Sequence, residues 1–149
     1  MDREKRSPDA FEKLVELMAM LRSPEGCPWD RKQTAESLKP FLIEECFEVV
    51  DALEEKDPGK VKEELGDLLF QIIFHARIAE EKGEFTMEDV ITAIVEKMTR
   101  RHPHVFGDAE ARTASDVNRQ WERIKADERA DAGKAAATAS ALEGISSSL

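Results

Sequence analysis

The stretch LIEECFEVVDALEEKDPGKVKEELGDLLFQIIFHARIAEEK, residues 42–82, decides the fold. It reads as two helices broken at Asp57-Pro58-Gly59, with Asp57 suited to an N-cap and Pro58 to a first helical position. Upstream, Leu42, Cys46, Val49, Val50 and Leu53 make one apolar stripe on a helix over about 39–56, with Pro40 confined to its first turn. Downstream, Val61, Leu65, Leu68, Leu69, Ile72, Ile73 and Ala76 form one face of a helix over 58–82. Phe74 and Ile78 lie on its other side, so its second half is apolar nearly all round and reads as buried. Gly83 ends it, and the two helices form an antiparallel hairpin.

Outward from the hairpin the pattern stays helical. Phe11, Leu14, Leu17, Met18 and Leu21 mark a helix that stops at Ser23-Pro24-Glu25-Gly26. A loop follows, with Trp29 conspicuous among polar neighbours. Thr86 caps a helix bearing Val90, Ile91, Ile94, Val95 and Met98, which ends near 100–103. A shorter helix from about Ser115 carries Val117, Trp121 and Ile124. Residues 1–10 read as a flexible lead, 11–126 as the domain, and 127–149, rich in Ala and Ser, as a linker or tail.

Composition agrees. Ala, Glu and Leu number 50 of the 149 residues against 22 for Val, Ile and Thr, which favours helix and excludes an all-β sandwich or barrel. The expected fold is all-α, built of antiparallel hairpins in a four-helix-bundle-like core. The helix over 58–82 has more apolar surface than its neighbours can cover, so a second copy is expected to complete that core as a homodimer. A net charge of −10 makes the chain a poor binder of nucleic-acid polymers. No apolar run reaches the roughly 18 residues of a membrane span, and MDREKRSPDAF holds no secretory h-region. Cys27 and Cys46 form neither a C-x-x-C nor a zinc pattern, so a reduced, cytoplasmic setting is expected.

The acids are placed rather than scattered. Glu44, Glu45, Glu48 and Asp51 follow one another at i, i+3 and i, i+4 spacings, with no Lys or Arg between Lys39 and Lys56. Each such like-charge pair costs a helix roughly 0.2–0.5 kcal/mol. Glu64 and Asp67 share a face of the second helix, and by helical angle Asp67 falls beside Phe74 and Ile78, where a carboxylate needs a cation. Glu45, Glu48, Glu64 and Asp67 can therefore aim at one point. Oxygen donors without His or Cys favour Mg²⁺ or Mn²⁺ over zinc, and the lack of Glu-x-x-His argues against di-iron.

Glu44-Glu45-x-x-Glu48 followed by Glu64-x-x-Asp67 resembles the acidic signature of the MazG-like nucleoside triphosphate pyrophosphohydrolases. Gly26-Cys27-Pro28-Trp29-Asp30, the run from Glu64 to Gln71, the run from Arg100 to Gly107, and Gln120-Trp121-Glu122 resemble the same family. The likeness covers about residues 11–126 and is of the first-repeat type, many members carrying two such domains in tandem. It implies an all-α, usually dimeric enzyme that uses Mg²⁺ to split nucleoside triphosphates into monophosphate and pyrophosphate, a housecleaning of nucleotide pools. It makes Glu45, Glu48, Glu64 and Asp67 the metal ligands, and Glu44 an adjacent acid that orients water. Which of Glu44, Glu45 and Glu48 takes the water's proton stays open. It also makes Lys60, Lys97 and Arg101 candidates for phosphate contacts, against helix salt bridging for Lys60 and dipole complementation for the other two.

Trp121 can stack on a base or sit as a core residue, and Trp29 and Asp30 can close a nucleotide pocket or simply pin their loop. His102 and His104 are expected to build a turn, and His75 to be a satisfied interior histidine. The rival from another class is a non-catalytic helical dimerisation module whose acid cluster is vestigial.

Overall fold

The computed structural model describes residues 10–146, with side chains to residue 143. The lead expected at 1–10 thus lies, but for Ala10, outside the described residues, as do the last three residues of the tail. Every regular element among the described residues is helical. The chain divides into two compact units, Met1–Ile91 and Thr92–Leu149.

The first unit holds α1 (Ala10–Leu21), α2 (Pro28–Lys32), α3 (Ala35–Glu55), α4 (Pro58–Glu81) and the start of α5 (Met87–Arg101). The α3–α4 hairpin forms as its sequence demands. Lys56 takes a left-handed conformation (φ 58°), and the Asp57 side chain accepts hydrogen bonds from the backbone N–H groups of Gly59 (3.0 Å) and Lys60 (3.3 Å). Pro58 opens α4, where its missing N–H costs nothing. Reciprocal bonds between Thr86 and Asp89 cap α5.

Two boundaries differ from expectation. α3 begins a turn early, because Thr34 and Ser37 cap each other: Ser37 N–H donates to Thr34 Oγ1 (3.1 Å) and Thr34 N–H to Ser37 Oγ (2.8 Å). Pro40 therefore lies inside the helix rather than in its first turn. Glu36, whose carbonyl loses a bond there, and Pro40 are both exposed, so water can satisfy the gap. The expected loop after Gly26 contains a single helical turn, α2, started by Pro28.

The core joins Met18 of α1, Leu38 of α3, and Ile73, Phe74 and Ile78 of α4, with Leu14, Leu69, Phe70 and Met87 around it. Each such side chain contributes about 1.5–3 kcal/mol by leaving water. The second half of α4 is buried nearly all round, as its pattern predicts, through Ile73, Phe74, Ala76, Ile78 and Ala79. The α3 stripe is not buried as expected. Val49 is covered together with Leu38 and Ala52, whereas Cys46, Val50 and Leu53 face out alongside Ile43 and Phe47.

The second unit comprises the rest of α5, the one-turn α6 (Pro103–Phe106) and α7 (Ala114–Ser146). Thr113 and Asp116 cap α7 reciprocally, Asp116 accepting from Thr113 N–H (3.1 Å) and donating its own N–H to Thr113 Oγ1 (3.1 Å). At 33 residues α7 far outruns the short helix expected. Alanine, the best helix former, carries it onward, although every residue from 129 to 143 is exposed.

After α1 the chain folds sharply back, with Gly26 N–H donating to Ser23 O (2.9 Å) and Cys27 N–H to Leu21 O (2.8 Å). A Cβ at Gly26 would collide with the carbonyl groups of Met20 and Leu21. Gly26→Ala should therefore lose about 1–3 kcal/mol of unfolding free energy in urea titration, the usual cost of overpacking.

Candidate functional site

The turn at Lys56 and Asp57 brings the acidic stretches of α3 and α4 level. One carboxylate oxygen each from Glu45, Glu64 and Asp67 lies within 4.8 Å of the others, a group able to hold a metal ion. Burial first, then the charges of Asp67, Glu64, Glu44 and Glu48, hold the Glu45 carboxyl above the usual glutamate range. Burial, Glu48, Asp67 and Glu63 do the same for Glu64, with Lys60 opposing them. Glu48 lies outside the three-oxygen group, yet its charge acts on both glutamates. Glu44 is exposed beside Glu45.

Two expectations about this hairpin are corrected. Asp67 is exposed, not sunk among Phe74 and Ile78, because the first half of α4 lacks the cover its second half receives. Lys60 pairs across the turn with Glu55 (Nζ–Oε2 2.9 Å) rather than along its own helix with Glu64. Its pKa is raised by Glu55 foremost, then by Glu48 and Glu64, so it remains within the field of the acids. Asp67 is preceded by Gly66, where a Cβ would meet no atom within 4 Å.

Trp29 sets its ring edge-on to Phe41 of α3, centroids 5.7 Å apart, and is half exposed. Phe41 stands one turn before Glu45, on the same side of α3. Asp30 is half-buried, and its main-chain oxygen accepts from Arg22. Nothing in the local sequence pattern singled out Arg22, whose partners come from α2, α4 and the segment between α2 and α3. His75 is half-buried, but its Nε2 has no hydrogen-bond partner among the described residues, so it is not the satisfied histidine expected; burial depresses its pKa.

In the second unit, Arg101, Trp121, His102, Met98 and Lys125 line a cavity of about 290 Å³. Lys97 is half-buried on α5 and is not among these lining residues. The Trp121 ring meets His102 edge-on at 5.2 Å, and its indole Nε1 is buried without a partner among the described residues. His102 Nδ1 lies 2.6 Å from Met98 O, which fixes this histidine in the wall, and Gln120 Nε2 lies 2.8 Å from His104 Nδ1. Arg101 Nη2 donates to Glu128 (2.9 Å), as does Arg100 Nε (2.8 Å). Those two guanidinium groups hold the Glu128 carboxyl far down, at about 2. Lys125 escaped the sequence reading, although it lies one helical turn beyond Trp121.

The model of the MazG nucleotide pyrophosphohydrolase domain family matches residues 33–106. The chain is similar to a Thermotoga maritima protein named nucleoside triphosphate pyrophosphohydrolase/pyrophosphatase MazG, 60% identical over 119 residues, which cover 80% of this chain and 45% of that protein. It is 46% identical over 140 residues to a nucleoside triphosphate pyrophosphohydrolase of Escherichia coli, covering 93% of this chain and 52% of that one. Among solved structures it resembles a mazG-related protein from Thermotoga maritima, with a TM-score of 0.65 and 31% identity over 76% of this chain and 97% of the other. The chain spans about half the length of these two curated relatives.

The Glu128 pairing sets a pH dependence. A carboxylate whose folded pKa is depressed contributes stability that is full above its ordinary value of 4.5 and is lost as pH falls towards about 2. Glu128→Gln should melt below the wild type near neutral pH, and thermal scans should find the gap closing across that acid window.

Proposed function

Because the chain belongs to the MazG nucleotide pyrophosphohydrolase domain family, we propose that it hydrolyses nucleoside triphosphates to monophosphate and pyrophosphate, with Mg²⁺, or Mn²⁺ in its place, at the carboxylate group. The observation that carries this reading is the approach of Glu45, Glu64 and Asp67 oxygens to within 4.8 Å of one another. An all-oxygen donor set without His or Cys suits a hard divalent cation. Glu45, Glu64 and Asp67, with Glu48 alongside, would hold the cation, which when bound supplies positive charge to the phosphates and acidifies water.

The chain's own groups then have definite work. A triphosphate brings about four negative charges towards a chain whose net charge is −10, so binding needs positive groups to be placed for it. Lys60 supplies one at the hairpin. In the second unit, Lys97 and Arg101 supply cations for phosphate oxygens, and Trp121 a surface for a base. Trp29 and Asp30 close over the nucleoside. Water adds to the α-phosphorus, the bond to the β-phosphate oxygen breaks, and the proton passes to a carboxylate of the Glu44, Glu45 and Glu48 group. The catalytic domain is assigned to 11–126, with 127–149 as a linker or tail.

A second copy is the partner we assign to the hairpin. Ile43, Phe47 and Val50 of α3 recur at i, i+4 and i+7, and each is about half exposed or more, as is Leu65 of α4, with Ile72 a little less so. An apolar face of this kind, repeated on two adjacent helices, suits a two-fold four-helix bundle. No helix among the described residues is long and apolar enough to cross a membrane. A cytoplasmic setting completes the reading.

Three experiments test it. Phosphate release from nucleoside triphosphates, with inorganic pyrophosphatase added, should require the divalent cation and fall about 100-fold or more in Glu45→Gln. Glu54→Gln, exposed on the same helix, should match the wild type. Metal at 100 times its Kd should add about 2.7 kcal/mol of stability, and less at the same concentration in Glu45→Gln. Light scattering should find the wild type at twice the chain mass and Phe47→Glu, which places a charge in the apolar stripe, at the chain mass.

A further inference from the structure

Arg22 follows the last residue of α1, and its side chain is only 9% exposed. A cation so buried needs its whole donor set engaged. One edge of the guanidinium grips Glu81 of α4, through Nε (2.9 Å) and Nη2 (2.8 Å). Its Nη1 donates to two main-chain oxygens, Asp30 O (2.5 Å) and Gln33 O (3.1 Å). Its central carbon stands 5.6 Å from the centroid of the Phe74 ring. One planar fork thus ties α4 to the segment bearing Trp29 and Asp30, a geometry that a lysine's point charge cannot reproduce.

The segment is tethered further. Gln33 Nε2 donates to Trp29 O (2.9 Å), Ser37 Oγ donates back to Gln33 (2.8 Å), and the Trp29 ring rests edge-on against Phe41, one turn before Glu45. We propose that Arg22 is a positioning residue: it sets Trp29 and Asp30 as a ready-made wall beside the carboxylate group before substrate arrives. This rests on the reading of that group as a triphosphate site. If Arg22 only presets the wall, loosening it lowers the fraction of molecules ready to bind and leaves the bound state intact. Apparent affinity then falls by that fraction while the chemical step is unchanged.

The test is Arg22→Lys in the full chain. KM for a nucleoside triphosphate should rise about 10-fold, as for a binding-ready fraction of about a tenth, with kcat within about 3-fold. In a Trp121→Phe background, where Trp29 is the remaining tryptophan, Arg22→Lys should shift the emission of the free protein to the red, and saturating nucleotide should restore it. Gln33→Ala, which cuts the neighbouring tether without disturbing the buried ion pair, should raise KM in the same direction and serves if Arg22→Lys does not fold. Ile73→Val, a small truncation of the core, should leave KM alone. An unchanged KM against an active wild type overturns the positioning role, as does an equal KM rise in Ile73→Val. A wild type that releases no phosphate overturns the pyrophosphohydrolase reading instead. The emission arm alone then decides the role of Arg22, and an unshifted spectrum overturns it.

Discussion

The connection at Lys56 and Asp57 fixes the axial register of α3 against α4, and with it which acids meet. At about 1.5 Å per residue, Glu45 lies about 16 Å back along α3 from Lys56, and Asp67 about 15 Å along α4 from Asp57. The two are therefore level, with Glu64 one turn nearer the connection. An added residue inside either helix, between the turn and its acids, would swing those acids by about 100° and break the grouping. Lys56 accepts a left-handed conformation there, and Asp57 with Pro58 starts α4 without slack. The hairpin spends stability on this register, since the grouped carboxylates repel and both Glu45 and Glu64 resist ionisation.

Much of that was legible in the sequence because it depends on local rules. Asp57-Pro58 declares a helix start, the apolar second half of α4 declares burial, and the acid spacings declare a shared face. What was not legible depends on coverage from elsewhere in the chain. Asp67 has the helical angle of Phe74 and Ile78 but not their surroundings, since the buried core gathers on the second half of α4. The outward stripe of α3 looked like core for the same reason. Lys60 chose a partner across the turn that helical spacing cannot reveal. The α3 boundary was missed because its cap uses Ser37 where a Glu or Gln would have been the familiar sign. The Arg22 side chain finds its partners among the described residues at separations of 8 to 59, which no helical spacing reveals.

The two units carry complementary chemistry. The first gathers carboxylates around one point, and the second organises Arg100 and Arg101 around the single carboxylate of Glu128. The Glu128 oxygens show what those guanidinium groups hold: a planar oxyanion gripped by one N–H from each. The buried indole N–H of Trp121, in the cavity that Arg101 and Lys125 also line, has no hydrogen-bond partner among the described residues.

Pro40 gives α3 a further property. A helix melts cooperatively because each turn is bonded to the next, and a proline removes one rung of that ladder. In α3 the missing rung separates the turn capped by Thr34 from the turns that carry Glu45 and Glu48. The opening turn relies instead on its Thr34–Ser37 cap and on Leu38, buried in the core, so it and the acidic turns are anchored separately. The same helix thus has two separately secured stretches, a capped one next to Trp29 and one at the carboxylates, divided by one residue that has no proton to give.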